Sequence, residues 1–213
     1  MSAYYEADPN INWVVEDGWT FIGGKLIISS RDDIIRYCKQ RNISIKDFNE
    51  PVFLSKSDSN NYSDLFLGFK KFNQSVSIPD GAINCSEMFR FCENFNSPVY
   101  IPNSVRDCSN MFDGCEKFNQ PIILPSELKD CSFMFNDCWL FNQPIKLPSK
   151  IHHCQQMFRD CKTFNQPLTI PKSAETYAYM FAGCEELDQI ITIPSSIEYE
   201  RFHLPSNKIK IVD

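Results

Sequence analysis

A 23-residue period governs this chain. Phe72, Phe95, Phe118, Phe141 and Phe164 mark one phase, with Leu187 closing the series. Met88, Met111, Met134, Met157 and Met180 keep step, as do Pro79, Pro102, Pro125, Pro148, Pro171 and Pro194. A period of this length signals a repeat architecture, in which no unit can bury its apolar face alone and each must stack on its neighbours. The expected fold is an α/β repeat solenoid. Such a fold presents an extended surface, which favours binding over catalysis.

Each unit carries two apolar patterns. In the unit starting at Phe118, Ile122 and Leu124 point one way and Ile123 the other, which reads as a short strand. Pro125 ends it, because proline has no N–H to give to a ladder. Cys131, Met134, Phe135 and Cys138 then fall at i, i+3, i+4 and i+7, one face of a short helix or 3₁₀ turn. The strands should form a parallel sheet and the helical faces should close the core opposite it. The Asn column, from Asn49 through Asn73, Asn96, Asn119, Asn142 and Asn165 to Asp188, is expected to form a side-chain hydrogen-bond ladder rather than an amide ligand site.

The pattern predicts three regions. Residues 1–47 form an N-terminal cap, 48–186 hold six repeats of 23–24 residues, and 187–213 form a partial repeat and C-terminal cap. In the first cap, Trp13–Val15 and Trp19–Ile22 flank the turn Glu16-Asp17-Gly18, a hairpin signal. Ser30 is the predicted N-cap of a helix to about Arg41, with Ile34, Ile35 and Cys38 inward. The closing NKIKIVD reads as a terminal strand.

Ten cysteines fall mostly into two columns. Cys85, Cys108, Cys131 and Cys154 form one, in which Tyr62 and Tyr177 also stand. Cys92, Cys115, Cys138, Cys161 and Cys184 form the other, joined by Phe69. A position that accepts Phe or Tyr is a packing position, so buried thiols are expected rather than disulfides. The opening MSAYYEADPNINW has neither the basic nor the apolar region of a secretory leader, so a reducing, cytoplasmic setting is expected. A net charge of −6 argues against a nucleic-acid partner, and no apolar run is long enough to span a membrane.

The unit MFxxCxxFNQPIxLPxxIxxC resembles the BspA-like leucine-rich repeats, also called the Treponema pallidum type, in the variant with Phe-Asn-Gln and Met-Phe. The resemblance covers roughly residues 48–200 and implies a curved, leucine-rich-repeat-like array. Its parallel sheet would lie on the concave face and its short helices or 3₁₀ turns on the convex face. Repeats of this kind occur in bacterial surface proteins and in some phage and viral proteins. The resemblance therefore also implies an adhesin, a virion or decoration component, or a phage-type inhibitor of a host protein.

No catalytic motif is found: there is no P-loop, GxGxxG, HExxH or GxSxG. The expected protein is no enzyme and uses no cofactor or metal. His152-His153-Cys154 falls on a core cysteine and two variable loop positions, so packing outweighs metal binding there. In a repeat, packing residues recur and residues free to bind vary. The outward strand position reads Phe53, Ser77, Tyr100, Ile123, Lys146, Thr169, Thr192. After the second cysteine column, Trp139-Leu140 replaces the polar pairs of other units. Phe53, Tyr100, Ile123, Trp139, Leu140 and Lys146 are thus the candidate binding residues for a protein partner on the sheet face. The exposed sheet edge or the apolar patch also offers a homodimer contact.

Overall fold

The computed structural model describes residues 13–213. Most of the opening stretch read for a leader lies outside them. Strands β1 (Trp13–Glu16), β2 (Trp19–Ile22) and β3 (Lys25–Ile28) form an antiparallel meander. Helix α1 (Arg31–Arg41) follows. Its start is fixed by a reciprocal pair: the Ser30 hydroxyl accepts from the Asp33 N–H, and the Asp33 carboxylate accepts from the Ser30 N–H. The helix buries Ile34, Tyr37 and Cys38, so Tyr37 takes the inward place expected of Ile35. Tyr37 sits edge-on to Trp19 and to Phe48, which links the meander to the first repeat unit.

From β3 onward, pairing between units is parallel. Strand β4 (Val52–Leu54) pairs with β3, and β5 (Val76–Ser77) with β6 (Val99–Tyr100). Strand β7 (Leu168–Thr169) pairs with β8 (Ile191–Pro194), which pairs with the terminal strand β9 (Ile209–Val212). The sheet is not continuous. Residues 122–124 and 145–147 make no backbone hydrogen bond among the described residues. A ladder forms only where at least one of two neighbouring strands lacks a proline at its entrance. Pro98, Pro121, Pro144 and Pro167 stand on four successive units, and the three junctions between those units are unpaired; the junction of β4 with β5 is unpaired as well, although Ser75 and not a proline precedes β5. Each such proline removes a donor at the point where a parallel ladder would begin.

Of the short helix or 3₁₀ turn expected in each unit, neither forms as a continuous helix, although three-residue bonds of the 3₁₀ kind are present. The segment from Cys131 to Cys138 is a run of turns instead. Two residues per unit have left-handed backbone. One series is Asp64, Glu87, Asn110, Phe133, Gln156 and Tyr179, and the other is Gly68, Phe91, Gly114, Asp137, Asp160 and Gly183. A left-handed residue every few positions breaks a right-handed helix. Its hydrogen bonds are redistributed. Cys131, Phe133, Phe135 and Asp137 donate to the next unit, at His153, Gln155, Met157 and Arg159. Met134, Asn136 and Cys138 donate three residues back. Every second N–H therefore ties one unit to the next, which a helix would not allow.

The core is a double file of phenylalanines. Phe66, Phe89, Phe112, Phe135, Phe158 and Phe181 form one file, and Phe48, Phe72, Phe95, Phe118, Phe141 and Phe164 the other. Where one unit meets the next the two files lie parallel, as in Phe135 and Phe141 at 4.1 Å between centroids. Between units the spacing is 5.7 Å for Phe112 to Phe135. Burying each ring contributes about 1.5–3 kcal/mol, and stacked rings add about 0.5–1.5 kcal/mol per pair. The cysteine columns lie beside these files. All ten thiols are free and nine are buried. Thiols of the second column donate across the core: Cys138 to the Phe112 carbonyl at 3.1 Å and Cys161 to the Phe135 carbonyl at 2.9 Å.

The asparagine ladder is present as expected. Each Oδ1 accepts the backbone N–H one unit on: Asn73 from Asn96 at 2.8 Å, Asn96 from Asn119 at 2.9 Å and Asn119 from Asn142 at 2.9 Å. Asp188 ends the row by donating its N–H to Asn165. A second row passes without notice in the sequence. Asn61, Asn84, Asp107 and Asp130 pair in parallel bridges and each accepts from the N–H two residues on, holding the entry to the run of turns.

Candidate interaction surface

The outward side chains sit where strand alternation places them. In each short strand the flanking residues turn inward and the middle one turns out. Ile122 and Leu124 are buried, whereas Ile123 between them is 86% exposed. Tyr100 is 65% exposed beside Ser77. Lys146 and Thr169 are exposed and Thr192 is half-buried. Phe53 differs: it lies half-buried in β4, opposite Ile27 of β3. The first large apolar residue of the row is thus part of the junction with the cap.

Ile123, Lys146, Thr169 and Thr192 line one trough of about 1060 Å³. Its walls include Ile190 and the prolines Pro144, Pro148, Pro167 and Pro171. The trough therefore follows the region where prolines interrupt the ladder. Ile190 was missed in the sequence, although it stands where earlier units carry a proline. Tyr100, Trp139 and Leu140 do not line this trough.

Trp139 and Leu140 belong to another row, at the turn after the second cysteine column. Leu140 is half exposed and Trp139 is 38% exposed. The Lys162 ammonium of the following unit lies 4.9 Å from the centre of the indole. Such a contact is worth about 0.5–1 kcal/mol at an exposed site. The backbone around Trp139 is tied on both sides: Leu140 donates to Glu116, and Thr163 donates to the Trp139 carbonyl. The single docking face expected from the sequence is thus two surfaces, a strand-side trough and a turn-side ridge whose tryptophan already has a partner.

The family model described as "Mycoplasma protein of unknown function, DUF285" matches residues 38–124 and again 83–193. The chain belongs to this family. The two matches overlap and together run over most of the repeat units, as a periodic sequence allows. No curated protein matches this chain, and no solved structure matches it.

Two clusters of this DUF285 chain bear on chemistry. His152 Nδ1 lies 2.8 Å from Glu175 Oε1, and His153 Nδ1 lies 3.1 Å from Thr176 Oγ1. Each ring reaches the equivalent position one unit on, 23 residues along. Among the described residues no three His, Cys, Asp or Glu side chains converge on a metal-sized site. The thiols are held far from their reactive form. Burial pushes Cys85, Cys154 and Cys184 up to about 12 and raises Cys108, Cys115, Cys131, Cys138 and Cys161 as well. A thiol so raised carries almost no thiolate near neutral pH, and the thiolate is the nucleophile.

Asp113 and Ser132 are the buried polar residues among those described, and only Asp113 is ionisable. Asp113 accepts from Arg90 Nε at 2.7 Å and from Asn136 Nδ2 at 2.7 Å, one unit before and one unit after it. Burial outweighs both partners and raises its pKa above the ordinary 3.8. Among the described residues no helix is long and apolar enough to cross a membrane.

Proposed function

We propose that this chain is a non-catalytic protein-recognition module: a solenoid of 23-residue coils whose outward, non-repeating side chains meet a protein partner. One observation carries the reading. Positions that pack are occupied alike from unit to unit, while the outward strand position changes from Ser77 to Tyr100, Ile123, Lys146 and Thr169 and leaves large apolar groups in water. Exposed aromatic and aliphatic groups within a polar surround mark interaction surfaces. The resemblance to BspA-like repeats supports the same reading. Buried free thiols support a reducing compartment as the place of action.

The test compares the intact chain with Tyr100→Ser/Ile123→Ser as baits in a lysate of the native cells. Circular dichroism and thermal melting establish that the variant keeps its fold. Proteins retained by the intact chain and lost by the variant support the role. Identical retention by both, with the fold intact, removes it.

A further inference from the structure

The trough has a chemical character that its side chains define. Its floor is a row of four outward residues one unit apart: Ile123, Lys146, Thr169 and Thr192. Each end carries an exposed aliphatic group, Ile123 in the first of the four units and Ile190 beside Thr192 in the last. The middle holds a single charge, Lys146, and no acidic side chain lines the trough. Lys146 makes no ion pair or hydrogen bond among the described residues. Other lysines, such as Lys25, Lys56 and Lys172, also lack an ion pair among the described residues, but only Lys146 lines the trough. In a protein of net charge −6, the trough's one charge, set amid aliphatic and hydroxyl groups, is a positive point that a negative group complements.

The dimensions select the shape of the occupant. Equivalent rings of successive units lie 5.7–5.8 Å apart, so three steps span about 17 Å. That is the length of about five extended residues at about 3.3 Å each. An extended chain turns alternate side chains to the same side, so residues i and i+2 would both face the floor. The threonine hydroxyls at the far end can donate or accept, as a peptide backbone requires.

We propose that the trough binds an extended acidic segment of a partner protein, seating an aliphatic side chain on Ile123 and an Asp or Glu two residues away on Lys146. This deepens the recognition role proposed above and rests on it. The charge match supplies choice of partner and register more than raw affinity. The aliphatic contact at Ile123 supplies the buried area.

The experiment selects a displayed library of random octapeptides on the full chain, with no assumption about the natural partner. Enriched peptides should carry Asp or Glu two residues from Leu, Ile or Val. Synthesised and titrated, they should bind Lys146→Gln about fivefold more weakly, the loss of one exposed charge pair. Against Lys146→Glu, the same peptide with Lys in place of its acid should recover binding, which a merely structural role for Lys146 would not produce. Ile123→Ser should weaken both peptides. Peptides enriched without acidic preference, or insensitive to Lys146 and Ile123, overturn the trough assignment and leave the recognition role standing. A dimer in sedimentation that Ile123→Ser dissolves also overturns it, since the occupant would be a second copy. No enrichment on the intact chain, together with identical lysate retention by Tyr100→Ser/Ile123→Ser, sinks both readings.

Discussion

The Phe91 ring lies over the backbone of Gly114, so that a Cβ at Gly114 would come 2.5 Å from Phe91 Cδ1. The two positions are equivalent in successive units and both have left-handed backbone. The side chain that one unit carries there is accommodated because the next unit carries none. The same relation holds between Asp160 and Gly183, where an added Cβ would meet the Asp160 carboxylate.

Gly114→Ala should therefore lower stability by about 1–3 kcal/mol. Left-handed backbone alone is tolerated at this position, since Phe91, Asp137 and Asp160 have it. The clash should dominate, and Phe91→Ala should relieve most of the loss. A double-mutant cycle by urea denaturation measures the coupling. Additive losses would show that the ring moves aside freely.

Asn119 Oδ1 accepts from the Asn142 N–H and from the Gln143 amide at 3.0 Å. Asn119→Ala strands a half-buried backbone donor, at a cost of about 1–3 kcal/mol. Asn119→Asp keeps the acceptor and should lose less. Equal losses in denaturant melts would count against the ladder as a source of stability.

Asp113 supplies a pH test. Its folded pKa lies above the ordinary 3.8 because burial outweighs Asn136 and Arg90. The folded chain thus holds this proton more tightly than the unfolded chain. Its relative stabilisation is full below 3.8 and is lost as pH rises through the folded pKa. Asp113→Asn mimics the protonated carboxyl, so it should raise Tm at neutral pH. The gain should shrink as pH falls toward 3.8. A constant difference between variant and parent across that range would contradict this.

The thiols should be silent in the native state. At pH 8, Cys85, Cys154 and Cys184, raised to about 12, and the deeper thiols should react with a thiol reagent only on unfolding. In denaturant without reductant all ten should titrate. Rapid native reaction of more than one or two would mean that the columns are open to water.

Recurrence made the core and the ladder legible. Phenylalanine, cysteine and asparagine each hold one phase, and each does the same thing in every unit. The run of turns was not legible, because the spacing of Cys131, Met134, Phe135 and Cys138 is also that of a helix. The left-handed residues that distinguish the two include Glu87, Phe133 and Tyr179, which do not advertise that conformation. The broken sheet was half legible. Entrance prolines were visible at Pro98, Pro121, Pro144 and Pro167, but β6 and β7 pair in spite of theirs and β5 does not pair with β4 although no proline precedes it. The candidate surface failed where it joined rows by sequence variability alone. Trp139 and Lys146 lie only seven positions apart, yet only Lys146 lines the trough.

The ladder at Asn96, Asn119 and Asn142 has a bearing on how such a gene can change. Each amide reaches a donor 23 residues further along, whatever the donor's own unit is. Removal of residues 119–141 would bring Asn96 against the N–H of Asn142 and rejoin like with like. Loss of a single residue would instead misalign every contact at that seam. A lineage of these chains can therefore shorten or lengthen by whole turns of the pattern, and with them redraw the array of outward side chains, while the interior remains the same.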